Sequence, residues 1–445
     1  MKILFANPPW WDGWGIKYGI VPFRMAGYRA GSRWPHMAVT LSFPGCPMPY
    51  DAVPYPLFMG YAAAYVKAQT GVEVVFRDSL ARRESYSQFY RYVAREQFDY
   101  IFIESGTPAW PHDREIVLKL HQLSPASKIV ITGPITVEKS SEILATMPVT
   151  ACIKGEYEKN AVLVIQGCTG ILEHNFMTEE EMNLAPSPMY DLATIRRYYD
   201  RNPRGGVFPH LQVWSSRGCP HKCIFCVWPA TMTGVDPDGK GKRMVRYYHP
   251  EHLEPFIREM VAKFGFKSIY FDDDTFNLGN RHTMEICAMM RRIGLPWGAM
   301  CRTDSISMDV WKEMRASGCY GVKLGFESGN QDVVDNIVHK KLDLKYSVEV
   351  VRYLKAIGMT VHGTFTIGLP GETPKQMDET LRFAGSLPFD SKQISGAALM
   401  DGTPLKALLK NHADQNFNPD NRDENLFDGN KRFRHLIAKL KRTNL

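Results

Sequence analysis

Three cysteines stand at spacings of four and three in the run Arg217-Gly218-Cys219-Pro220-His221-Lys222-Cys223-Ile224-Phe225-Cys226. Thiolates are soft ligands, and a set on one tight loop suits an iron–sulfur cluster. Four thiolates would close such a site for structure or electron transfer. Three leave one iron open to a substrate or cosubstrate, by the logic that separates closed from open metal sites. A zinc site would need a fourth ligand; His221 lies inside the loop, where the geometry is poor, and His249 is the other candidate. The remaining cysteines of the nine are scattered. That is not the framework of a secreted disulfide-bonded domain, and it predicts reduced thiols in a cytoplasmic protein.

Other residues able to do chemistry sit where apolar runs stop. Tyr270-Phe271 leads into Asp272-Asp273-Asp274-Thr275, which reads either as a solvated turn or as a binding edge. Arg302 ends the next run and carries a fork suited to a carboxylate; an ordinary salt bridge is the competing reading. Gly325-Phe326-Glu327-Ser328-Gly329 ends a further run. Gly363-Thr364-Phe365-Thr366-Ile367-Gly368-Leu369-Pro370-Gly371 follows, and Asp401-Gly402-Thr403-Pro404-Leu405 closes the series. Glycine spacing alone is weak, because Gly also marks ordinary turns.

The C-x3-C-x2-C loop with aromatic Phe225 before its last cysteine resembles the signature of the radical S-adenosylmethionine superfamily. The resemblance extends over most of residues 206–405. In that family the open iron chelates the amino and carboxylate groups of S-adenosylmethionine, and reduction cleaves the molecule to a 5′-deoxyadenosyl radical. The resemblance implies a [4Fe–4S] cluster on Cys219, Cys223 and Cys226, with Phe225 near the adenine. It implies that Asp273 and Asp274 lie near the methionine amino group and that Arg302 pairs with the methionine carboxylate. Glu327, in a stretch similar to G-x-E-S-G, is expected at the ribose. Gly368 lies in a stretch similar to G-x-I-x-G-x-x-G and is expected to line the same site. Asp273, Asp274 and Glu327 should face the barrel mouth, because βα barrels place their chemistry at the carboxyl ends of the strands. A one-electron reductase of flavodoxin or ferredoxin type is the implied partner.

The elements that must position these residues alternate along the chain. Before the cysteine loop, strands are expected at Ile3–Ala6, Val72–Phe76, Tyr100–Ile103, Lys128–Thr132 and Thr150–Ile153, with helices at Leu57–Ala68, Tyr86–Arg95 and Arg114–Leu123. Apolar strands alternating with helices predict a parallel sheet covered on both faces, with its ligand crevice at the carboxyl ends of the strands. A second alternating series runs from Leu211–Ser215 through Ser268–Phe271, Trp297–Cys301, Val322–Phe326 and Val361–Ile367 to Gln393–Leu399. Six such units predict a partial barrel. The fold class is therefore α/β. A flavodoxin-like (Rossmann-type) domain is expected over 1–165 and a linker over 166–205. A partial (β/α)6 barrel over 206–405 and a C-terminal helical tail over 406–445 complete the chain. The tail includes a basic helix at Lys431–Arg442.

The first domain, with its Asn7-Pro8-Pro9 stop and its Gly155-Glu156 end ahead of such a barrel, resembles the cobalamin-dependent branch of the superfamily. The resemblance implies cobalamin bound between the two domains. Its contacts would come from Asn7, Pro8, Ser105, Gly106, Thr107, Gly133, Gly155 and Glu156. The D-x-H-x-x-G signature of His-ligated cobalamin proteins is absent, so the implied form is base-off without a histidine lower ligand. His36 lacks an Asp two residues before it, and His112 and His121 belong to a helix expected to lie away from the first-strand loop. That loop, from Asn7 to about Pro56, carries Trp10, Trp11, Trp14 and Trp34; loops of such length are usually functional.

Methyl transfer to a carbon that is not nucleophilic is the first implied function. A radical cyclisation, oxidation or rearrangement with the same cofactors is the second. A non-catalytic cobalamin-binding regulator is the third, and it has no use for an intact cysteine triad. No nucleic-acid partner is expected: RNA methylthiolation needs further cluster cysteines near the N-terminus, where only Cys46 and Cys152 stand. The substrate, small molecule or peptide, is not readable. A net charge of +7 is compatible with an anionic substrate or with simple solubility. No apolar run is long enough for a transmembrane helix.

Overall fold

The computed structural model describes residues 1–9, 24–26, 38–40, 53–107, 109–200, 202–227, 244–397 and 399–406. Trp10, Trp11, Trp14, Trp34, His36, Cys46 and the basic helix expected at 431–442 lie outside the described residues.

Ile3, Leu4, Phe5 and Ala6 are all fully buried, as a continuous apolar run between two covering layers must be. They form strand β1 (Lys2–Asn7). With β2 (Glu73–Asp78), β3 (Tyr100–Glu104), β4 (Lys128–Thr132), β5 (Ala151–Ile153) and β6 (Gly170–Leu172) they make one parallel sheet in the order β2-β1-β3-β4-β5-β6. The first five strands follow the flavodoxin-like order, with its switch point between β1 and β3.

Alternate side chains leave opposite faces. Leu4, Ile101, Ile103, Ile129 and Ile131 pack under helices Tyr86–Glu96, Trp110–Leu123 and Ile135–Thr146. Ile3, Phe5, Phe102, Val130 and Ile153 pack on helix α1 (Leu57–Thr70). That helix is apolar nearly all round, the composition of an element buried between layers. Its far side meets the second domain, where Tyr61 stacks on Trp214 at 5.7 Å and on Tyr248 at 5.5 Å. One hydrophobic core therefore runs from the first sheet into the second.

The second sheet holds β7 (His210–Val213), β8 (Ser268–Phe271), β9 (Trp297–Cys301), β10 (Cys319–Glu327), β11 (Thr360–Ile367) and β12 (Ser391–Gly396). All are parallel and each pairs with the next in sequence, so β7 and β12 are the two open edges. Helices Pro250–Phe264, Asn280–Ile293, Met308–Ala316, Leu344–Ala356 and Pro374–Ser386 fill the intervals. Local signals set their ends: Pro at the first turn and a left-handed Gly265 for the first, a Thr373–Gln376 capping box for the last. Ile269, Phe271, Val322, Leu324, Phe326 and Phe365 belong to the apolar core. The other face of the same strands is polar. His210 stacks on Tyr270 with centroids 5.8 Å apart, and Lys323 lies 5.0 Å from the same ring. His210, on the first strand, thus shares its surroundings with Lys323 on the fourth, as the inside of a curled sheet requires.

Residues 166–205 are not a linker. Gly170–Leu172 adds the sixth strand to the first sheet, and Glu179–Leu184 is a helix with a Thr178–Glu181 capping box. Tyr199 pairs with Val53, Asp200 binds Lys323, the Asn202 side chain accepts from Ser391 at 3.0 Å, and the Arg204 carbonyl accepts from Thr360. Thr360 and Ser391 begin their strands, so this segment laces across the amino ends of the barrel. The chemistry is left to the carboxyl ends. No described helix is long and apolar enough to cross a membrane.

Candidate active site

The cysteine loop leaves the end of β7, and one carboxylate fixes its root. Asp273, fully buried, accepts from the Ser215 amide at 3.0 Å, the Ser215 hydroxyl at 2.9 Å and the Ser216 hydroxyl at 2.6 Å. The Ser215 hydroxyl also meets His282 Nε2 at 3.1 Å. Burial lowers the His282 pKa to about 4, so the ring is neutral there. The Asp273 carboxylate is thus engaged by the strand end that launches the loop.

Cys219, Cys223 and Cys226 form no disulfide and are of intermediate exposure. Cys219 Sγ lies 3.5 Å from the Thr275 hydroxyl. Burial raises the Cys219 pKa, and the negative charge of Asp274 adds to the rise. Asp274 is therefore beside the cluster loop. Among the described residues no three His, Cys, Asp or Glu side chains close on a single metal ion. A four-iron cluster does not ask for that, since each thiolate takes a different iron. Three soft donors on one loop at a strand's carboxyl end, none of them in a disulfide, fit a [4Fe–4S] cluster. His249 is turned away, with Nε2 3.2 Å from Glu179 on the surface.

The far side of the loop is held by backbone. The Ile224 amide donates to the Val338 carbonyl at 3.0 Å, and Leu405 donates to the Ile224 carbonyl at 2.9 Å. Phe225 and Cys223 pack against Val333, Val338, Leu369 and Ala397. Val333–Ile337 is a π-helical turn, a form that recurs at functional sites. Phe225 thus forms a half-buried apolar shelf next to the stretch that contains Gly368.

Glu327 ends β10 in the left-handed region, at φ 65°. A non-glycine residue held there is backbone strain of the kind that clusters at functional sites. Its Oε1 accepts from Lys340 Nζ at 2.9 Å and its Oε2 from Thr366 at 3.2 Å. A Cβ at Gly325 would lie 2.7 Å from both Glu327 Oε1 and Lys340 Nζ, so this close pair requires glycine. The expected ribose contact at Glu327 is accordingly shared with an internal ion pair. Arg302 is likewise engaged: Nε and Nη2 meet Asp304 at 2.9 and 2.8 Å, while buried Nη1 has no hydrogen-bond partner among the described residues. The Gly368 and Leu369 amides donate to Glu372 Oε2 at 2.7 and 3.1 Å. Burial pushes the Glu372 pKa up to about 7, against these two amides.

In the first domain, the loops after β1 and β3 bracket the switch-point crevice. The residues expected to touch a ligand there are partly engaged within the protein. Asn7 donates to Asp78 at 3.0 Å, and the Ser105 hydroxyl donates to Asp113 at 2.6 Å. Thr107 accepts from the Asp401 amide at 2.7 Å, so the Asp401–Leu405 turn docks on this domain. Gly106 accepts the first amides of the helix that follows. Gly133 has φ 88°, and a Cβ on it would lie 2.6 Å from the Ser105 carbonyl; Gly155 also has positive φ, at 74°. Pro8 is buried beside them. Glu156 departs most from expectation. It is fully buried, pairs with Arg246, and lies 3.4 Å from Arg217. His112 is also corrected: Nε2 is 3.4 Å from the Pro9 carbonyl and 2.8 Å from the Tyr86 hydroxyl, so it stands beside the first-strand loop.

Sequence reasoning missed Arg217, Arg246, Lys340 and Glu372. Arg217 adjoins the cysteine motif and Glu372 adjoins the glycine stretch, so proximity to a motif was an available signal. Nothing local marks Arg246 or Lys340. Cys301 and Cys319 are core thiols, with burial holding their pKa values well above the ordinary thiol range.

An α/β enzyme with a flavodoxin-ordered domain fused by a common core to an open six-stranded barrel, and with three closely spaced cysteines at the barrel's carboxyl end, defines the class. Residues 215–384 match the Radical SAM superfamily. An uncharacterized methyltransferase of Pyrococcus horikoshii is 26% identical over 372 residues, covering 79% of this chain and 77% of that one. Cytidylyl-2-hydroxyethylphosphonate methyltransferase of Streptomyces wedmorensis is 29% identical over 51% of this chain and 43% of its own length. The anaerobic magnesium-protoporphyrin IX monomethyl ester cyclase of Rubrivivax gelatinosus is 22% identical over 74% of this chain and 61% of that one. The chain thus spans most of the first relative and less than two thirds of the other two. Among solved structures, the radical S-adenosylmethionine methyltransferase TsrM of Kitasatospora setae, with cobalamin and a [4Fe–4S] cluster bound, shares the fold. It superposes with a TM-score of 0.66 at 14% identity, over 92% of this chain and 75% of that one. The matched stretch contains the cysteine loop, and the proteins this chain resembles include methyltransferases.

Proposed function

We propose that this enzyme transfers a methyl group to a carbon that is not nucleophilic, with a [4Fe–4S] cluster, S-adenosylmethionine and cobalamin as cofactors. The observation that carries the reading is the arrangement of the chain. The barrel end that carries the three cysteines is fused through one core to a domain with the flavodoxin-like strand order, whose switch point is a usual ligand site. When bound, the cluster and S-adenosylmethionine supply a 5′-deoxyadenosyl radical and cobalamin supplies the methyl group, so the organic chemistry belongs to the cofactors.

The protein's part is to hold and orient. Cys219, Cys223 and Cys226 ligate the cluster. Asp274 accepts from the methionine amino group, Arg302 Nη1 donates to its carboxylate, Phe225 lies against the adenine, Glu327 meets the ribose, and the Gly368 backbone closes the site. Cobalamin lies at the switch-point crevice, between the loops at Asn7-Pro8 and Ser105-Gly106-Thr107. The Gly133 and Gly155 backbone, with its positive φ, flanks its tail. Glu156 takes no part in holding it. The cofactor is base-off and lacks a histidine on its lower face. His112 stands beside the first-strand loop, and its Nε2 is engaged by the Tyr86 hydroxyl. Burial lowers its pKa. Residues 1–165 and 206–405 act as the two catalytic domains. In this reading the enzyme works in the reducing cytoplasm with a flavodoxin- or ferredoxin-type reductase.

Product analysis of S-adenosylmethionine under anaerobic turnover with substrate tests the reading. Both 5′-deoxyadenosine and S-adenosylhomocysteine are expected. Deoxyadenosine alone would move the enzyme to radical cyclisation, oxidation or rearrangement. Axial nitrogen splitting in the cob(II)alamin spectrum, lost in His112→Phe, would overturn the ligation.

A further inference from the structure

Arg217 is a fully buried cation two residues before the first cluster cysteine. Its Nη1 donates to Glu158 Oε1 at 2.6 Å and lies 3.4 Å from Glu156 Oε2. Both glutamates come from the other domain, where they follow β5 and open helix Glu158–Ile165. The guanidinium lies 4.8 Å from the Tyr61 ring, 5.2 Å from Trp214 and 5.6 Å from Tyr248. Arg217 also pairs through its backbone with Arg246, in a two-residue antiparallel ladder. Arg246 donates to Glu156 from both Nη atoms, and to the Met177 carbonyl at 2.5 Å.

A buried pair bridging two packed elements is a poor source of stability, because desolvation offsets most of the attraction. Its best-attested use is register, the fixing of one geometry among several of similar energy. Here both partners have a functional neighbour. Arg217 precedes Gly218-Cys219, and Glu156 follows Gly155 at the strand end that faces the proposed cobalamin tail. The planar fork and the aromatic stack of Arg217 are features that lysine lacks.

We infer that Arg217 is a positioning residue: through Glu156 and Glu158 it locks the cluster loop to the first domain, and so fixes the separation and orientation of the cluster relative to cobalamin. This rests on the proposed cobalamin site. A register role predicts a selective defect. Each cofactor should still bind, while the geometry between them relaxes.

The test uses the full-length holoenzyme reconstituted with iron, sulfide and cobalamin. The readouts are iron content, cobalamin content, substrate-free 5′-deoxyadenosine formation, and the broadening of the cob(II)alamin signal by the reduced cluster. Arg217→Lys keeps the charge and loses fork and stack. Glu158→Gln keeps the arginine and the shape and removes the strongest pull, and it carries the test if the lysine variant does not fold. Iron and cobalamin contents within twofold of the parent, with broadening weakened at least twofold or made heterogeneous, are expected. Parent-like broadening in both variants would overturn the inference and leave the cobalamin reading intact. A parent enzyme that binds no cobalamin would remove both together.

Discussion

Asp273→Ala should unfold the barrel's first strand end before it weakens any cofactor contact. The carboxylate is the acceptor for one buried amide and two hydroxyls, at 2.6 to 3.0 Å. Hydrogen bonds to a charged group contribute roughly 1.5–3 kcal/mol each, and a buried donor left unsatisfied costs about 1–3 kcal/mol. The bonds share one acceptor group and are not additive, so a loss of about 4 kcal/mol is expected. At ~2–4 °C per kcal/mol for a domain of this size, the melting temperature of the apoprotein should fall by about 8–16 °C. Asp273→Asn keeps one acceptor oxygen and should cost about half as much. Asp274→Ala should leave the melting temperature within about 2 °C of the parent on the same scale, and should instead weaken S-adenosylmethionine binding by tenfold or more. Calorimetry of the apoprotein and equilibrium binding to the reconstituted enzyme check the pair. An Asp273→Ala protein that melts like the parent and has lost only S-adenosylmethionine affinity would refute the assignment and restore Asp273 as a ligand contact.

Three further outcomes are expected. Replacing Cys219, Cys223 and Cys226 together with Ala should abolish the brown colour, the roughly four irons per chain and all deoxyadenosine formation; iron analysis and chromatography read this, and retained cleavage would sink the cluster assignment. Gly325→Ala should drive a methyl group into the Glu327–Lys340 pair, 2.7 Å from both atoms. It should cost about 1–3 kcal/mol, the usual range for overpacking, with a parallel loss of S-adenosylmethionine affinity by calorimetric titration. Asp113→Asn should stabilise the protein at pH 8. Burial raises the Asp113 pKa to about 7, opposed by the Ser105 bond, so the folded state holds its proton more tightly than the unfolded chain. That stability is complete below about pH 4, the unfolded value. It is lost as pH rises to about 7, and the loss amounts to about 4 kcal/mol. The difference in melting temperature between variant and parent should therefore shrink from pH 8 to pH 5; a constant difference would contradict the assignment.

Much of the architecture was legible because period and punctuation agreed. Ser268–Phe271 and Trp297–Cys301 stand where the apolar runs put them. The cluster loop was legible for a different reason: its ligands are close in sequence, so their spacing carries the geometry. The segment 166–205 was misread because Pro and Gly punctuation resembles a linker, whereas its role comes from contacts with Lys323, Thr360 and Ser391, all more than a hundred residues away.

Which of two neighbouring carboxylates is taken up by the fold was decided only in three dimensions. Asp273 and Asp274 are neighbours of one type in one turn, yet one is clasped by Ser215 and Ser216 while the other lies beside Cys219. Glu156 ends a strand where a ligand contact was expected, and two arginines of the other domain claim it instead. The sequence by itself determined the chemistry available here, because cluster ligands, apolar strands and caps are local properties of the chain. The tertiary structure alone decided the assignment of each polar side chain. A buried charge goes to whichever partner compensates its desolvation, and that partner is set by how two distant domains pack.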